Sequence, residues 1–112
     1  MTQFSGRAEL RCTIWILDDA LSALHVARDL SRRDISRVRT ADAADQLHCA
    51  SLLAPAGYRM PLRALSRDLR RELKFLPPPR PAVLARVADE ATMIRAALAV
   101  LAGDAIGMRR AG

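Results

Sequence analysis

Five cations recur along one short stretch of this chain: Arg63, Arg67, Arg70, Arg71 and Lys74. On a helical projection they share a flank centred roughly 120° from the leucines of the same stretch. Guanidinium groups are planar forks of donors that match phosphate and carboxylate oxygens. Set along three helical turns, they could follow a nucleic-acid backbone with salt-dependent, mostly sequence-independent affinity. A second reading is a solvated face. Asp68 and Glu72 occupy the opposite flank, where i,i+4 pairing with the arginines would only solubilise the helix.

The charge is concentrated rather than spread. The 112 residues carry a net +6, and residues 59–80 alone hold seven basic and two acidic side chains. Residues 28–39 add five arginines against Asp29 and Asp34. Such a field attracts phosphates, acidic proteins or anionic small molecules. Nucleic acid is the preferred partner, with an acidic protein surface second.

Other chemistry is poorly served. Cys12 and Cys49 lie among apolar residues, which predicts small buried thiols. His48 adjoins Cys49, but neighbouring helical residues point about 100° apart, so the imidazole does not reach that sulfur. Cys12, His25, His48 and Cys49 lack the paired spacing of a zinc site, and no metal or cofactor is expected. The opening MTQFSGRAELR has no basic start followed by an apolar run, so a cytoplasmic, reducing setting is expected. The longest uncharged stretch, Gln46 to Tyr58, has 13 residues and is broken by Pro55 and Gly57, too short for a bilayer span.

Helices must position these residues. Leu10, Ile14, Leu17, Leu21 and Leu24 alternate by four and three, predicting a helix over about 8–33. A strand at 12–17 competes, because Thr, Ile and Trp favour sheets and Asp18 and Asp19 could then cap a shorter helix. Residues 34–40 read as a break, with Thr40 capping a second helix of about 41–54. Pro61 reads as the first residue of a third helix over 61–76, whose Leu62, Leu65, Leu69, Leu73 and Leu76 fall within an arc of roughly 80°. The prolines at 77–81 form a stiff connector, and a last helix covers about 82–102, stopped by Gly103. Residues 104–112 read as a frayed tail.

Residues 26–38 (VARDLSRRDISRV) have some of the order of a helix-turn-helix, without its glycine turn or its full spacing. The stretch from Leu10 to Arg28 resembles the first helix of the all-helical chorismate mutases, through Leu10-Arg11, Ile14, Leu17-Asp18, Leu21, Leu24 and Arg28. Arg39 stands where that family has a lysine. The resemblance implies an arginine-lined dicarboxylate site built on Arg11, Arg28 and Arg39, acting as a preorganised cationic cage in a dimer with a shared first helix. The family's Asp-x-x-Arg-Glu segment has no counterpart in TADAADQLHCASLL, nor has its late-helix glutamine.

The expected fold is one all-α domain over 1–112, a small bundle of three or four helices, with leucine seams that a homodimer could also use. The leading expectation is a non-enzymatic regulator or adaptor that binds an anionic partner. The alternatives are a chorismate-mutase-like isomerase and a structural subunit of a larger helical assembly.

Overall fold

The computed structural model describes residues 2–29, 33–74 and 79–103. They form four helices: α1 (Thr2–Ala27), α2 (Arg33–Leu53), α3 (Ala56–Leu73) and α4 (Pro81–Leu101). Among the described residues there is no strand, so Cys12–Leu17 is helical and Asp18 and Asp19 lie in mid-helix. The expected all-α bundle is the fold observed, with four helices.

Connections are short, so neighbours run antiparallel. α1 packs most extensively on α2 and α2 on α3; α4 closes the circuit against α1 and, more lightly, α3. The core is built from leucine and alanine. Leu17, Leu24, Leu47, Leu62, Leu69, Leu84 and Leu98 are fully buried, with Ala20, Ala27, Ala43, Ala50 and Ala91 between them. Alternating large and small side chains let the helices interdigitate at close range. The molecule is elongated, 47 × 29 × 17 Å.

α1 begins at Thr2 rather than at about 8, and three further boundaries differ from those the sequence predicts. α1 ends at Ala27 rather than near 33, and residues 34–40 are helix, not a break. The reason is a seam written in polar letters. Ser36, Thr40, Ala43, Leu47, Ala50 and Ala54 alternate by four and three, and all are buried. Thr40 is therefore not a cap but a core residue, whose hydroxyl donates to the Ser36 carbonyl at 2.7 Å. Ser36 donates to the Ala27 carbonyl at 2.6 Å, closing the C-terminal end of α1. Each buried hydroxyl has its acceptor, so burial costs little.

The third difference is at Pro61. It lies inside α3, which begins at Ala56 directly after Pro55. Pro61 removes the amide that would pair with the Gly57 carbonyl. Gly57 is exposed, so water can take that carbonyl. α3 ends at Leu73, and Leu76, Pro77 and Pro78 of the predicted helix and connector lie outside the described residues, as does the tail from 104. α4 matches its predicted span within a residue. Pro81 opens it, and Gly103, at a left-handed φ of 91°, follows its end.

Candidate anion-binding face

α3 is divided lengthwise into three. Leu62, Leu65, Ser66, Leu69 and Glu72 are buried. The acidic flank faces α4 and is consumed there. Arg86 bridges Asp68 at 2.7 Å and Glu90 at 2.9 Å. The Glu72 carboxylate accepts from Arg80 Nη2 at 2.7 Å, from its Nε at 3.1 Å and from its backbone N–H at 3.0 Å. These bonds hold the Glu72 carboxyl below the usual glutamate range: the Arg80 side-chain hydrogen bond dominates and outweighs the opposing effect of burial.

The cationic flank has little acid near it. Arg63, Arg67, Arg70, Arg71 and Lys74 are all exposed. Arg70 pairs with Asp45 of α2 at 2.8 Å. Among the described residues the other four have no ion pair, and the i,i+4 pairs with Asp68 and Glu72 do not form. Two further arginines serve the fold. Arg37 donates to the Leu73 carbonyl at 2.8 Å and Arg59 to the Ala54 carbonyl at 2.7 Å, each closing a helix C-terminal end.

Beside this flank the surface is concave. His48 of α2 and Arg63, Ser66, Arg67 and Arg70 of α3 line an open depression of about 350 Å³. Ser66 forms its floor and donates to the Ala44 carbonyl at 2.7 Å, pinning α3 to α2. Arg70 Nε lies 3.4 Å from the Ser66 hydroxyl oxygen. Sequence reasoning missed His48 as part of this face. The signal was available: Ala44, His48 and Ser51 share one side of α2, and the tight Ala54–Pro55 connection sets that helix beside α3.

The three arginines of the alternative dicarboxylate site are not gathered within one chain. Arg11 lies in α1 and Arg28 just after its end, about 25 Å apart along the axis at 1.5 Å per residue. Arg39 pairs with Asp42 at 3.2 Å and lines a depression of about 260 Å³ with Asp19, Asp42 and Gln46, not with Arg11 or Arg28. An anion there would meet two carboxylates for one guanidinium. The 26–38 segment joins the long antiparallel pair α1 and α2; its residues 30–32 lie outside the described residues.

Cys12 and Cys49 are exposed free thiols, contrary to the expectation of burial. Each adjoins core residues in sequence but falls off the buried face on the projection. Among the described residues no three His, Cys, Asp or Glu side chains come together as a metal site, and no helix is long and apolar enough to cross a membrane. Compared with known proteins, the chain matches no family model, no curated protein and no solved structure.

Proposed function

We propose that this chain is a small helical adaptor or regulator that binds nucleic acid through the cationic flank of α3, in the cytoplasm. One observation carries the reading. The acids of α3 are engaged by α4, while four of the five flank cations face solvent with no acid partner among the described residues. Arg63, Arg67, Arg71 and Lys74 would contact phosphates, and Arg70 would join them by leaving a surface pair of small worth.

A salt titration tests it. Five phosphate contacts on duplex DNA correspond to a slope of about −4.5 in log affinity against log salt. The double variant Arg63→Ala/Arg67→Ala is expected to reduce the slope by about two. Absent binding at low salt, or binding that salt does not weaken, rejects the nucleic-acid reading and leaves an acidic protein surface to be tried.

The reading includes a homodimer. Met93, Val100 and Leu101 of α4 are exposed, Met93 at 73%, and with Ala97 they form a second apolar stripe beside the buried one. Residues 96–103 carry no charge at all. A helix apolar on two faces is normally covered on both. Sedimentation equilibrium is expected to find twice the 12.3 kDa chain mass, and Val100→Glu to return the monomer. A wild-type chain that stays monomeric at high concentration removes the dimer from the account.

A further inference from the structure

The α3 cations do not form a uniform track. Arg71 and Lys74 stand on open helix surface, whereas Arg63, Arg67 and Arg70 border the depression whose other wall is His48. Donors on two walls suit an anion that can be surrounded. An internal phosphodiester has one negative charge, two free oxygens and chain leaving on both sides. A terminal phosphomonoester carries about −1.5 to −2 charges and offers three acceptor oxygens. It can meet an open depression end-on, and only one strand has to leave.

From this geometry we infer that the depression formed by His48, Arg63, Arg67 and Arg70 is a subsite for a terminal phosphomonoester, seating the phosphorylated end of a nucleic-acid strand. The inference rests on the nucleic-acid reading above and narrows it. Arg63 and Arg67, one turn apart and without an ion pair among the described residues, present guanidinium forks to the phosphate oxygens. Asp45 of α2 holds Arg70 at 2.8 Å, a surface pair that an arriving phosphate would compete with. Ser66 contributes no donor, because its hydroxyl proton is given to the Ala44 carbonyl. At about 350 Å³ the depression also admits the sugar that carries the phosphate. Arg71 and Lys74, further along the same flank, meet the phosphodiesters that follow.

The test compares three single-stranded oligonucleotides of one sequence, bearing a 5′-phosphate, a 3′-phosphate or neither, by fluorescence anisotropy on the full chain. A phosphorylated end is expected to bind about tenfold more tightly, the effect of one charge-assisted contact. Arg63→Ala and Arg67→Ala should each shrink that ratio, and the double variant should abolish it. Arg71→Ala/Lys74→Ala should weaken all three oligonucleotides alike and keep the ratio. All four side chains are exposed, so each variant should fold, which circular dichroism checks. Equal affinity for the three, with binding intact, overturns the subsite and spares the broader reading. No binding to any of them defeats both. A free nucleoside 5′-monophosphate is the other source of the same group. If it displaces the phosphorylated strand fully, with the same sensitivity to Arg63→Ala, the ligand is the mononucleotide and the strand-end assignment is overturned; failure to compete at comparable concentration supports the strand end.

Discussion

Leu17→Ala is expected to lower the thermal midpoint by about 12 °C. Leu17 is 0% exposed and lies mid-way along α1, among the leucines and alanines of the core. Removing three carbons from such a site loses their transfer energy and leaves a cavity, at a cost of about 3 kcal/mol. In a domain of this size each kcal/mol moves the midpoint by about 4 °C. The core offers little repair, since its alanines, Ala20, Ala43 and Ala91 among them, have no side chain long enough to fill the space. Leu52→Ala is the matched control: Leu52 is exposed, and its loss should change stability by less than about 0.5 kcal/mol. Equal midpoints for the two variants in a thermal melt would show that the leucine–alanine packing is not what holds the bundle.

The second large effect belongs to Glu72. Its side chain is 4% exposed and accepts hydrogen bonds from both the backbone and the guanidinium of Arg80, the residue that precedes α4. One carboxylate thus fastens the end of α3 to the start of α4, close to the positive end of that helix. Glu72→Ala loses these charge-assisted bonds, at about 2 kcal/mol. The effect depends on pH in a defined direction. The folded state holds this carboxyl below its ordinary value of 4.5. Its contribution is therefore complete above that value and disappears as pH falls through the lower, folded-state value. Urea unfolding at neutral pH should separate wild type from Glu72→Ala, and the gap should close in acid. A gap of the same size at both extremes would mean that the ionised pair is not its origin.

These elements differ in how plainly the sequence declares them. α4 and the leucine side of α3 are legible because large apolar residues mark their buried faces. The first turns of α2 are not, because Ser36 and Thr40 occupy core positions and a pattern of apolar residues is blind to buried hydroxyls. Pro61 suggested a helix start on propensity alone, while Pro55 one turn and a half earlier is the actual boundary. The cationic flank was readable because spacing within one helix fixes which side chains share a side. What Asp68 and Glu72 pair with was not, since Arg80 and Arg86 lie on or beside another helix. His48 is an intermediate case, since spacing fixes its side of α2 but not which helix faces it, whereas the exposure of Cys12 and Cys49 was legible from their place off the buried faces of α1 and α2.

The light seam between α3 and α4 has a consequence for how the molecule opens. α4 packs mainly on α1 and, more lightly, on α3, and is the least engaged of the four helices. The expected lowest-lying excursion from the native state is a partial unfolding in which α4 lifts away, releasing the Glu72–Arg80, Asp68–Arg86 and Asp18–Arg95 pairs together. The α2–α3 hairpin, closed by two residues, outlasts that event as a local cooperative unit. Such an opening would release Asp68 and Glu72 on the opposite flank of α3 and lower its net positive charge, so detachment of α4 would oppose the anion binding proposed for that helix.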